Sequence, residues 1–125
     1  MKVPLVILIC IHLLFLLFHF AVTLKLVSYK IVWGGRLTSD KQMYGFEAVS
    51  IIVTILILMV LFARAGYVNI HLPQQAIQAS LWIITILYFF NTLGNLRSKN
   101  KFERNFFTPL TALMFILSLI VVLHG

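Results

Sequence analysis

Glu47 stands in MYGFEAVSIIV, a lone carboxylate in a largely apolar run. An ionisable side chain inside such a run is a functional-site candidate by default, because burying a charge is costly unless a partner or water meets it. Two chemistries fit. Glu47 can hold a ligand or a proton, or it can close a structural ion pair with Arg36, Arg97 or Arg104. Both readings stand at this stage.

His12 and His19 lie seven residues apart in VILICIHLLFLLFHFAV. At about 100° per helical residue they share one face with Thr23 and Lys30. His19 and Glu47 together offer an acid–base pair, provided they come within hydrogen-bond reach. Bis-His haem needs imidazoles facing each other from different helices. His12 and His19 are instead about 10 Å apart along one helix, so neither haem nor a shared metal ion fits them. No metal and no cofactor is expected.

Asn91, Thr92 and Asn95 form a third group, followed by Arg104. Asn91 and Asn95 are one helical turn apart and lie on one side. They can reach Glu47, a carbonyl freed near Pro109, or a ligand. Further polar residues repeat at helical spacing: Glu47, Ser50 and Thr54; Gln78, Thr85, Thr92 and Asn95; Arg104, Thr108, Thr111 and Ser118. The plain reading of the Ser and Thr residues is interhelical hydrogen bonding, worth about 0.6–2 kcal/mol each.

The elements that carry these groups follow from composition. The chain has 125 residues, of which 62% are hydrophobic and 10% charged. Soluble domains carry about 25% charged residues, so lipid is the expected solvent of a single, all-α domain. Four segments reach the length of about 20 residues that a bilayer crossing takes. They run over about 3–32, 40–65, 73–97 and 101–123. The expected architecture is a four-helix transmembrane bundle. The first segment reads as a retained helix, because no small-residue cleavage site ends it.

Local signals mark the ends. Ser39 with Gln42 forms an S-x-x-Q capping box, and Gly66 is a C-terminal stop. Asn100 with Glu103 resembles a second box, and Gly34-Gly35 suits the end of the first helix. Pro109, inside the fourth segment, should kink it and free the carbonyl of Asn105. The short third loop makes the last two helices antiparallel neighbours.

Charge sets orientation. Lys25, Lys30, Arg36 and Lys41 flank the first loop, and Arg97, Lys99, Lys101 and Arg104 flank the third. Lys/Arg-rich loops stay cytoplasmic, which puts both termini outside a bacterial inner membrane. The net charge of +7 is then mainly a topology signal that also meets anionic headgroups at the cytoplasmic face. Nucleic-acid binding does not fit, since the basic residues sit at span ends. Glu47, Asn91, Thr92, Asn95, His19 and Arg104 fall in the same cytoplasmic half.

Other classes lack their marks. The single Cys10 allows neither an intrachain disulfide nor a Cys-based zinc site. No phosphate-binding loop, zinc motif or Ser-His-Asp signature occurs.

The strings VWGGRL (Val32–Leu37), MYGFEAVS (Met43–Ser50), NTLGN (Asn91–Asn95) and FERNFFTPLT (Phe102–Thr111) resemble those of a family of small four-helix bacterial membrane proteins with no assigned activity. The resemblance implies that Trp33, Gly34, Gly35, Glu47, Asn91, Gly94, Asn95, Glu103 and Pro109 belong to motifs.

Three functions are compatible with these residues. The first is a cytoplasm-side polar pocket lined by Glu47, Asn91, Asn95, His19, Thr92 and Arg104, binding or transporting a small solute, ion or lipid headgroup. A transporter of this size would work as a homodimer, since transporter folds are commonly built from repeats. The second is a non-catalytic interaction protein. The third is an intramembrane enzyme acting on a lipid-like substrate through His19 and Glu47.

Overall fold

The computed structural model describes residues 2–29, 37–69 and 71–124. Four α-helices occur among them: α1 (Lys2–Thr23), α2 (Asp40–Ala65), α3 (Gln74–Leu96) and α4 (Thr108–His124). A π-helical turn, Glu103–Phe107, leads directly into α4. Four spans of 21, 26, 23 and 22 residues are long and apolar enough to cross a membrane. The chain is therefore read as a multi-pass membrane protein, and its all-α class is as expected.

The first helix ends earlier than the sequence suggests. Helix to about residue 32 is expected, yet α1 stops at Thr23. Lys25 takes a left-handed conformation, with φ of 63°. Its N–H donates to the Val22 carbonyl at 3.0 Å, and the Leu26 N–H donates to the Ala21 carbonyl at 2.8 Å. These are the two bonds of a Schellman cap, built here on a lysine where glycine is usual. Lys25 also pairs with Asp40 at 2.5 Å, so the cap is tied to the start of α2. That hydrogen bond, with the nearby charge, holds the Lys25 ammonium above its usual range. Lys30, Trp33, Gly34, Gly35 and Arg36 lie outside the described residues.

The second helix occupies its expected bounds. Ser39 accepts a hydrogen bond from the Gln42 N–H at 3.2 Å. Gln42 does not close the usual reciprocal bond; its Oε1 accepts from the Thr38 N–H at 2.8 Å instead. At the other end Gly66, with φ of 78°, makes a Schellman cap with bonds to Ala63 and Phe62. The rings of Phe62 and Tyr67 pack across it, the hydrophobic contact that commonly accompanies this cap.

Between α3 and α4 the chain turns through a short polar knot. Ser98 donates to Glu103 Oε2 at 3.1 Å, and the Glu103 N–H donates to Asn100 Oδ1 at 3.1 Å. Asn100 therefore caps the following helix, as expected. The kink expected at Pro109 takes the form of the preceding π turn. A proline ring clashes with the carbonyl four residues back and lacks an N–H. A wider turn before it relieves both problems.

The helices form an open ring. The α1–α2 and α3–α4 hairpins each pack extensively, and α1 also packs on α4. The α2–α3 seam is barely closed. At one end of the bundle Leu8, Leu61, Leu81 and Met114 bring all the helices together in a tight apolar core. At the other, Val22, Leu37 and Met43 form a smaller cluster under Phe18. Exposed Leu14, Leu17, Ile52 and Ile83 belong to the outward, lipid-compatible faces.

Candidate functional site

A cavity of about 500 Å³ lies between the two apolar clusters. Phe15, Phe18 and His19 of α1 form its back, with Glu103, Phe107 and Thr111 from the π turn and α4. Val49, Ser50, Val53, Thr54 and Ile57 of α2 make one wall. Leu87, Tyr88, Phe90, Asn91, Gly94 and Asn95 of α3 make the other. Val49 and Phe90, on the two walls, are 59% and 62% exposed. The mouth therefore lies at the poorly closed α2–α3 seam, on the side of the bundle.

His19 and Glu47 meet inside the bundle. His19 Nδ1 lies 2.6 Å from Glu47 Oε2. The His19 side chain keeps 20% of its exposure, whereas Glu47 is fully buried. A carboxylate can only accept, so Nδ1 carries the proton in this pair. The seven-residue spacing that aligned His12 with His19 also turns both rings inward. Phe15 and Phe18 pack against the His19 ring, at centroid distances of 6.5 and 6.1 Å.

His12 is built into a different contact. Its Nδ1 lies 2.7 Å from the Leu8 carbonyl, and its Nε2 lies 2.6 Å from the Tyr88 hydroxyl. Both nitrogens are committed to the protein, so this histidine joins α1 to α3 and is not placed as a metal ligand. Among the described residues no three His, Cys, Asp or Glu side chains come together in a metal-binding group.

The residues singled out from sequence separate into two groups. His19, Asn91 and Asn95 line the cavity. Glu47 reaches it through His19. Thr92 turns toward α4, donating to the Tyr88 carbonyl at 2.8 Å and lying 3.2 Å from Thr111 Oγ1. Arg104 is half-buried on the π turn and is not among the cavity-lining residues. On that turn Glu103 and Phe107 face inward, and Arg104 follows at a position rotated away from them. Of the Arg partners considered for Glu47, Arg36 lies outside the described residues; the acid–base pair of His19 and Glu47 does come within hydrogen-bond reach.

Glu103 is the lining residue that sequence reasoning placed otherwise. It reads as a helix cap, and it is one, yet it is also 6% exposed and borders the cavity. Pro109 is the signal that could have revealed this, because the π turn it favours shifts the inward register by one residue. Asn95 Nδ2 donates to Thr111 Oγ1 at 3.2 Å, a partner different from the three expected.

Comparison of the chain with protein-family models, with curated proteins and with solved structures returned no match.

Proposed function

We propose that this protein binds an amphipathic, lipid-like molecule through the side of its helical bundle. One observation carries the reading: a cavity with His19, Asn91, Asn95 and Glu103 at one end opens at the α2–α3 seam. A ligand that enters from within a bilayer must bring an apolar chain. A ligand that reaches these polar groups must bring a headgroup to meet them, since buried polar groups are costly without partners. The two demands together describe an amphiphile.

In this reading the protein sits in a bacterial inner membrane with both termini outside. The Lys/Arg bias of the first and third loops supports that orientation. The polar end of the cavity then belongs to the cytoplasmic leaflet.

The test is photo-crosslinking in reconstituted bilayers, with a phospholipid carrying a diazirine in its acyl chain. Adducts are expected on Phe15, Thr54 and Phe107, which line the cavity. Adducts confined to the outward residues Leu14, Leu17, Ile52 and Ile83 overturn the proposal.

A second reading, an intramembrane enzyme on a lipid-like substrate, is favoured by the 2.6 Å His19–Glu47 contact. A carboxylate that fixes an imidazole tautomer is the orienting half of a general-base pair. Turnover of a bound lipid that stops in His19→Phe while cavity cross-links persist would support it.

A further inference from the structure

The cavity has one closed end. Its deepest lining residues are Phe15 on α1, Ile57 on α2, Leu87 on α3 and Thr111 on α4. One helical turn beyond them stand His12, Leu61, Ile84 and Met114, all buried. One residue from each helix therefore shuts the bundle. Leu61, Ile84 and Met114 belong to a single apolar cluster. His12 Nε2 lies 2.6 Å from the Tyr88 hydroxyl and ties α1 to α3 at this level. The opposite end is polar, with Asn95 beside the last residue of α3 and Glu103 opening the π turn.

The distance between the two ends is short. Lining residues run from Val49 to Ile57 on α2 and from Leu87 to Asn95 on α3. At 1.5 Å per residue each run rises about 12 Å, less than half of a hydrocarbon core about 30 Å thick. With bonds of about 1.52 Å and angles near 111°, an extended hydrocarbon chain advances roughly 1.25 Å per carbon, so about ten carbons fill that height. Volume gives the number of chains. A methylene takes about as much room as a water molecule, roughly 30 Å³, so a decyl chain takes about 300 Å³. The cavity of about 500 Å³ holds one such chain and a small polar head. It does not hold two.

We propose that the cleft takes one hydrocarbon chain of about ten carbons under a small polar head, a medium-chain amphiphile, in preference to shorter or longer ones. The inference rests on the lateral-cleft reading above and adds the number and length of the chains. Bilayer tails are as apolar as the cleft walls, so hydrophobicity does not choose between lengths. Fit does. A shorter chain leaves Ile57 and Leu87 without contacts at the closed end. A longer one meets His12, Leu61, Ile84 and Met114 and has to double back into the α2–α3 seam.

The test uses the full chain in phosphatidylcholine nanodiscs with the diazirine phospholipid as probe. Hexanol, decanol and hexadecanol, at equal mole fractions in the bilayer, compete for the adducts on Phe15 and Phe107. A hydroxyl head both donates and accepts, so only chain length varies. Decanol should halve these adducts at a mole fraction several-fold below that of hexanol or hexadecanol, with labelling of Leu14 and Ile83 unchanged. Ile57→Trp, which shortens the cavity, should move the best competitor from decanol to octanol. The wild-type series decides the matter alone if that variant does not fold. Equal competition by all three alcohols, or competition that still rises at hexadecanol, overturns the inference and leaves the lateral cleft standing. No adducts on Phe15 or Phe107 at all removes both.

Discussion

His19 donates its Nδ1–H to the buried Glu47 carboxylate across the α1–α2 interface, 2.6 Å away. The bond gives one helix pair a polar anchor and holds a cavity-lining side chain, His19, in place. Stability and ligand binding therefore respond differently to substitutions at Glu47. Glu47→Gln keeps an oxygen for Nδ1–H and should cost about 1 kcal/mol. Glu47→Leu leaves the imidazole donor unpaired and should cost roughly 2 kcal/mol or more. Unfolding in bicelles measures both. Glu47→Gln should also weaken ligand binding while the protein stays folded. A purely structural pair would show the stability loss without the binding change.

The His12–Tyr88 bond joins α1 to α3 near the middle of the bundle. Tyr88→Phe and His12→Leu should each lower stability by about 1 kcal/mol. Because the residues share one hydrogen bond, the double variant should cost clearly less than the sum. Strict additivity in a double-mutant cycle would show that the bond contributes nothing.

Pro109 is expected to hold the π turn open. In Pro109→Ala an ordinary α-helical turn becomes available, which would rotate Glu103 by about 100° relative to α4. Cross-linking of lipid to Phe107 should persist, since Phe107 adjoins α4, while a cysteine placed at Glu103 should change its accessibility to thiol reagents. Unchanged accessibility would mean that packing, and not proline, sets the turn.

Orientation is open to direct labelling. In a Cys10→Ala background, a cysteine at Lys99 should react with a membrane-impermeant maleimide only after cells are opened. A cysteine at Tyr67 should react on intact cells. The reverse pattern would contradict the proposed orientation.

Much of the fold is legible in the sequence because the signals are local. Ser39, Gly66 and Asn100 each work within one helical turn, and the polar stripes follow from the helical period alone. The end of α1 is hidden because Lys25 supplies a left-handed cap that residue type does not announce. The inward face of Glu103 is hidden because a π turn breaks the period being counted. His19 and Glu47 are both visible as inward polar residues, but their meeting is not. It depends on how α1 and α2 rotate against each other, and no local pattern encodes that angle. The side opening depends likewise on α2 and α3 failing to close, which no residue signals on its own.

The lateral cleft is tested most directly by filling it. Thr54 is buried on the cavity wall, so Thr54→Trp should occupy the space that a ligand chain would use. The ratio of diazirine-lipid adducts on Phe15 and Phe107 to those on Leu14 and Ile83 is compared in wild type and in Thr54→Trp. A ratio that falls several-fold in the variant, with outer-face labelling unchanged, is the result expected of an amphiphile site entered through the α2–α3 seam. A ratio that does not change would contradict it.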